Sequence, residues 1–311
     1  MRLALSLIAR ALVVLLGSAL ITFLLLWNAP GDPAAVIAQA RFDAMIDQEI
    51  IDEIRRAEGL DKTFWPAFLA WLGPLFLGDL GNSAVTGRPV LPDLVGALYY
   101  TVPLALAALA IGLTLSIPLA LIATRNPGSF VDRFAIGLAS LGTAIPAYWL
   151  GLLLILLFAV QLAWLSAMGA RTPAHTILPA VTLGLGVTAS LTRIIRSGIL
   201  EAKGKPFLPA LRRRRVTERD IQRDHVSRHA AIPVATVFGL ELAFLIEGVV
   251  IVEVIFSRPG LGSFLVGAIF ARDFPQVQAV VLFIAFVFVF VNLAVDVFYR
   301  VLDPRIGERS A

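Results

Sequence analysis

Few residues in this chain could do chemistry. Of the three histidines, His225 and His229 stand four apart, a spacing that puts both imidazoles on one helix face. Such a pair could fill two corners of a metal shell, but no third ligand accompanies it and the surrounding segment is rich in arginine. There is no cysteine, so thiolate nucleophiles, disulfides and sulfur-ligated clusters are excluded together. No HExxH, GxSxG or GxxxxGK[ST] pattern occurs, and residues 81–88 lack both the spacing and the lysine of a phosphate loop. The chain is therefore not expected to be an enzyme, to hydrolyse ATP, or to bind a metal or cofactor of its own. What remains is a series of glutamates, Glu241, Glu247 and Glu253, spaced by six. Six residues turn a helix by about 600°, so successive carboxylates point about 120° apart and cannot line one wall.

The elements that would position these groups are membrane helices. Of 311 residues, 58% are hydrophobic and only 15% charged, with a mean hydropathy of +0.85. Soluble domains carry about 25% charged residues, so this is an integral membrane protein. A span needs ~20 apolar residues whose backbone satisfies itself. Six runs qualify or nearly so: 7–27, 101–123, 134–160, 177–199, 231–255 and 277–299. The fourth is weakest, with Arg193 and Arg196 in its last turns, where they could snorkel to the surface. The first run, too long for a secretory signal and lacking a clear cleavage site, reads as an uncleaved span.

Basic residues set the orientation. With the N-terminus in the cytoplasm, the cytoplasmic segments hold 17 Lys and Arg, ten of them between Arg196 and Arg228, against 8 on the other side. Both termini are then cytoplasmic. Residues 28–97 lie outside, with ten acids against five bases. In this segment Ala44–Ala57 reads as an amphipathic helix carrying Ile46, Ile50, Ile51 and Ile54, and Gly78-Asp79-Leu80-Gly81-Asn82 and Gly87-Arg88-Pro89 read as turns. The fold class expected is all-α and polytopic: residues 1–27 the tail and first helix, 28–97 an extracytoplasmic subdomain, and 98–311 the transmembrane domain, with a cytoplasmic segment at 201–233 between helices 4 and 5.

That segment carries a pattern. Arg196-Ser197-Gly198-Ile199-Leu200-Glu201, Phe207-Leu208, Arg212, Ile221, His225, Arg228 and Ile232-Pro233 resemble the coupling segment of ABC-importer permeases of the dipeptide/oligopeptide/nickel family. So do Ala29-Pro30-Gly31-Asp32-Pro33, Gly78 to Ser83, Thr86 to Val90, Ile145 to Gly151, Ile177-Leu178-Pro179-Ala180, Phe256-Ser257-Arg258-Pro259-Gly260-Leu261-Gly262 and Leu302-Asp303-Pro304-Arg305-Ile306, in order along nearly the whole chain. The resemblance implies an inner-membrane subunit that imports peptides or related small solutes. Its implied partners are a second homologous permease, two ATPase subunits that use ATP and Mg, an extracytoplasmic solute-binding protein and the lipid bilayer, with no nucleic acid. It assigns ATPase coupling to Glu201, Phe207, Leu208, Arg212, Ile221, His225 and Arg228, and a face toward the binding protein to Arg258, Pro259, Gly260 and Gly262. Nickel or metal-chelate import uses the same scaffold and is the alternative; Trp164 to Gly169 resembles nickel-type members slightly. A stand-alone channel or secondary transporter would show internal inverted repeats, and none is visible.

The sequence departs from the family at the segment's turn. By ungapped alignment the usual glycine falls at Arg215, an alanine falls at Leu211, and Pro209 enters the first helix. A non-glycine in a positive-φ turn costs on the order of 1 kcal/mol, and proline removes a helical donor. The run Arg212 to Arg215 suits either anchoring against anionic lipid or contact with an ATPase. Glu247, where the family usually has glycine, is the translocation-path candidate: either a neutral group packed on a neighbouring span or an ionised one facing a cationic substrate. Glu253 suits an interface or cap near the outer end, and Asn292 and Asp296 suit interhelical bonding. Pro103, Pro118, Pro146, Pro179, Gly184 and Gly186 are read as packing and kink positions.

Overall fold

The computed structural model describes residues 2–42 and 47–302. Among these the regular structure is all helical, with no strand and one isolated bridge, Asn82 to Pro89. The helices are α1 (Arg2–Trp27), α2 (Pro33–Phe42), α3 (Gln48–Ala57), α4 (Phe64–Leu75), α5 (Val90–Ala123), α6 (Phe130–Ala144), α7 (Ala147–Leu154, prolonged by a π-helical turn to Gln161), α8 (Ile177–Lys203), α9 (Leu208–Arg213), α10 (Glu218–Asp220, running through a π turn at Ile221–Val226), α11 (Ser227–Ile255), α12 (Leu261–Phe270) and α13 (Phe274–Leu302). Four of them are long and apolar enough to cross a bilayer, on α1, α5, α8 and α13, or five if α6 and α7 form one span. The fifth expected run, 231–255, lies in α11, 29 residues long.

The third expected span is not one rod. α6 and α7 meet at 99°. Pro146 is the cause: it disfavours helical geometry at Ile145, which takes φ −82° and ψ 119°, and it becomes the N-cap of α7. α5 begins at Val90, well before the apolar run predicted from residue 101, because Asp93 and the 94–98 stretch continue the same helix.

The chain divides into two compact units, residues 1–100 with 259–290, and 101–258 with 291–311. In the first, Ile54 of α3 is buried against Ala34, Ile37 and Ala38 of α2, with Ile50 and Ile51 beside it, so the amphipathic face predicted here is the one that packs; Ile46 lies outside the described residues. Phe23 of α1 sits among the rings of Phe64, Phe68 and Trp71 of α4, at 5.4–5.5 Å between centroids. Gly78, Gly81 and Gly87 take positive φ, as their turns require. Buried Asp273 accepts from the Ser83 hydroxyl and from the Ala84 amide at 3.2 Å, and Arg272 donates to the Pro30 carbonyl at 2.9 Å. Residues 28–97 and the α12–α13 corner are thus joined by polar bonds.

In the second unit α8 is central, packing on α6, α7 and α11. Close approach is made by small residues: a Cβ on Gly184 would come within 2.7 Å of Ile111, and one on Gly112 within 2.4 Å of Val187. The core runs from Leu104 and Ala108 through Leu183, Val187, Leu191 and Ile195 to Leu245, Val249, Val252 and Phe256. Arg193 is exposed, but Arg196 does not snorkel. It donates to Asp132 at the start of α6, Nε to Oδ1 at 2.6 Å and Nη2 to Oδ2 at 2.7 Å.

Candidate functional site

The candidate site is the 201–233 segment, which leaves α8 and returns as α11. α8 ends at Gly204, and Lys205 to Phe207 turn the chain into α9. Pro209 occupies the first turn of α9, where no intrahelical donor is required, so the disruption expected from it is absent. After α9 the chain reverses at Arg215, whose φ is +61°. The position that the alignment gives to glycine is therefore a left-handed turn in fact, carried here by arginine at a steric cost. Thr217 then caps the next helix, accepting from the Asp220 amide at 3.2 Å.

The segment has two faces. Leu208, Ile221 and Val226 are buried, and Phe207, Leu211 and Val216 pack beside them, all in the core that contains Leu191 of α8 and Val249 of α11. At the alanine position, Leu211 fills space against that core. Opposite lie the charges, and most are paired: Arg212 grips Glu218 (Nε to Oε1 2.6 Å, Nη2 to Oε2 3.3 Å), Arg223 grips Asp224 (2.8 and 3.0 Å), and Lys205 bonds Glu201 at 2.9 Å. The guanidinium groups of Arg212 and Arg223 hold the Glu218 and Asp224 carboxyls below their usual values. His225 and His229 flank the Phe207 ring, with centroids at 6.1 and 5.2 Å, so they serve as ring contacts on the loop. Among the described residues no group of three or more metal-ligating side chains occurs. The Arg228 side chain lies outside those described.

Two further bonds secure the same end of the bundle. Lys203 donates to the Thr124 carbonyl at 2.7 Å, and Asp132, gripped by Arg196, also accepts from the Gly128 amide at 2.7 Å. The 124–132 turn is therefore fastened to α8 just ahead of the 201–233 segment. Local sequence patterns gave no hint of this pairing, because its halves lie 64 residues apart.

The three glutamates of α11 have three different surroundings, as their spacing requires. Glu241 is bonded to the Ser190 hydroxyl of α8 and lines a cavity of about 140 Å³ with Thr182, Gly142 and Gly186. Glu253 is fully buried and accepts from the Thr101 hydroxyl at 2.6 Å. Glu247 is exposed on this chain. The side chain of Asp296 lies outside those described.

The four candidates assigned to the binding-protein face differ in exposure. Arg258 is 3% exposed and donates through Nη1 to the His175 carbonyl at 3.1 Å and the Thr176 hydroxyl at 3.3 Å. It holds the turn before α8 rather than presenting a charge outward. Gly260 and Gly262 are buried as well, and Pro259 alone of the four is exposed.

Long apolar helices packed through glycine, with a charged loop rooted in their core, define a polytopic membrane protein. The chain belongs to the family of binding-protein-dependent transport system inner membrane components: the family profile matches residues 116–308, and that of its N-terminal region matches residues 1–94. It is 37% identical over 307 residues to a Brucella abortus (strain 2308) protein named for a peptide transport system permease, covering 96% of each chain. It is 34% identical over 286 residues to the glutathione transport system permease protein GsiC of Escherichia coli (strain K12), covering 92% of each. Among solved structures, an amino acid ABC transporter chain superposes with a TM-score of 0.55 at 19% identity, over 68% of this chain and 94% of that one. The inward-facing methionine ABC transporter MetNI gives 0.54 at 16%, over 68% and 97%. These two likenesses establish the fold of the membrane core.

Proposed function

We propose that the chain is one of two homologous membrane subunits of an ATP-driven importer in the inner membrane, taking peptide-type solutes from an extracytoplasmic binding protein. On this reading it has six spans, both termini lie in the cytoplasm, and two ATPase subunits dock on the 201–233 segment. The observation that carries the proposal is the two-faced build of that segment. Its buried side, Leu208, Ile221 and Val226, belongs to the core of the spanning helices, so a push on the loop is delivered to them. Its exposed side offers an ordered charged surface to a soluble partner. The peptide-type substrate is supported by the names of the Brucella and Escherichia relatives. Glu247, exposed on α11, would meet solute carrying an amine.

Single cysteines through 207–221 test the docking in a chain that has none of its own. Exposed positions such as Arg212 and Glu218 should crosslink to an ATPase subunit, and buried Leu208 should not. Crosslinks confined to lipid-directed probes would defeat the proposal.

A further inference from the structure

We propose that the first unit holds an outer-leaflet phospholipid with a primary-ammonium headgroup, in a two-part site along α1, α4 and α13; the leaflet assignment rests on the orientation proposed above. One part is a cleft of about 430 Å³. Phe23, Trp27 and Trp71 form its aromatic side, and Asp32, Arg55, Glu58 and Lys62 its charged side. The second part is a groove of about 410 Å³ with no charged or polar side chain in its lining, formed by Leu12 and Leu16 of α1, Leu72 and Leu75 of α4, and Leu282 and Phe286 of α13. The same three helices wall both.

Depth and charge together select the occupant. From Trp27 down to Leu12 the helix descends about 22 Å, and a leaflet with its headgroup is half of ~40–45 Å. The two cavities therefore cover one leaflet, polar end at the interface, where tryptophan prefers to lie. In the cleft Arg55 is already held by Asp32 at 2.7 Å, and Glu58 by Arg41 at 2.7 Å. The Lys62 side chain is exposed and makes no hydrogen bond or ion pair to another described residue, so its ammonium is available to a phosphate. Glu58 Oε2, and the remaining lone pair of Asp32 Oδ1, which already accepts from the Ala34 amide at 3.1 Å, can accept from a headgroup N–H. A quaternary headgroup cannot donate there, and a glycerol headgroup carries no cation. A partner helix laid in the groove would leave the paired acids and bases above it without a purpose.

Native mass spectrometry of the full chain, purified with its assembled partners in mild detergent, tests this. Phosphatidylethanolamine, phosphatidylcholine and phosphatidylglycerol are added in turn. The wild type should retain the first over the other two. Lys62→Gln, an exposed change that leaves packing alone, should weaken retention about tenfold, the size of one charge-assisted hydrogen bond. Leu16→Trp should abolish retention by filling the groove. Equal retention of all three lipids would overturn the proposal, as would unchanged retention in Lys62→Gln. A photoreactive residue at Leu16 that captures a protein chain instead of lipid would also overturn it. A single cysteine at Lys62 separates the orientation: labelling by an impermeant maleimide from the cytoplasmic side alone would refute the leaflet, while the selectivity measured in detergent would still stand or fall by itself.

Discussion

Arg196 and Asp132 meet as a planar fork, two parallel hydrogen bonds of 2.6 and 2.7 Å joining the C-terminal third of α8 to the first turn of α6. The Asp132 side chain is 2% exposed, so its charge depends on that fork. Asp132→Asn leaves the guanidinium without its counter-charge and should lower unfolding stability by about 3 kcal/mol. Thermal unfolding in detergent measures it, with exposed Arg193→Gln as the neutral control. Asp132→Asn combined with Arg196→Gln should lose less than the two single changes summed.

Arg215 sits at φ +61°, a conformation that penalises any Cβ. Arg215→Gly should stabilise the 208–221 turn by on the order of 1 kcal/mol, and Arg215→Ala should not. Slower amide exchange at Val216 and Thr217 in the glycine variant alone is the expected pattern.

The buried place of Arg258 makes a distinct prediction. Arg258→Ala removes donors to the His175 carbonyl and the Thr176 hydroxyl and should destabilise the fold by about 2–3 kcal/mol. The loss should show in thermal unfolding, with binding-protein affinity unchanged in the fraction that remains folded.

Glu247 and Glu241 should behave oppositely. Glu247→Gln should leave assembly and unfolding unchanged while slowing uptake of amine-bearing solutes relative to neutral ones. Glu241→Leu strips the partner from Ser190 and should lower stability by on the order of 1–3 kcal/mol. Competition uptake in proteoliposomes, alongside melting curves, distinguishes the two.

Acid should loosen the loop at a defined point. Arg212 holds the Glu218 carboxyl below its usual value of 4.5, so the unfolded chain takes up that proton first as pH falls. The pair's contribution is complete above that value and is lost as pH drops through the lowered folded value. Amide protection over 208–220, with the intrinsic pH dependence of exchange divided out, should be flat above pH 4.5 and fall below it, and Glu218→Gln should remove the step. The pair is exposed, so the effect should be small.

Much of this was legible in the residues. Long apolar runs announced α1, α5, α8 and α13, α8 least clearly because Arg193 and Arg196 interrupt it, and the isoleucine spacing announced the packed face of α3. The left-handed turn at Arg215 followed from the family pattern, since backbone conformation persists where the residue changes. Pairings across the chain were not legible: Asp132 reads as an ordinary N-terminal acid of α6 until Arg196 is placed beside it. Nor was the short apolar helix α12, whose ten residues fall below the length that marks a span. Arg258 was placed on the outer face by the family resemblance, and only tertiary packing reveals its acceptors. The break at Pro146 was half visible, as a kink position whose angle depends on what the two helices pack against.

Helix runs without a break from Glu218, through the π turn, to Ile255. At ~1.5 Å per residue this is a lever of about 55 Å, longer than the bilayer is thick. A tilt of ~5° at the end bearing Glu218 would sweep the far end through about 5 Å, the scale on which packed elements switch partners. Glu253 and its bond to Thr101 lie at that far end. A small stroke at one membrane face would thus be amplified at the other, with the exposed Glu247 carried along the arc between them.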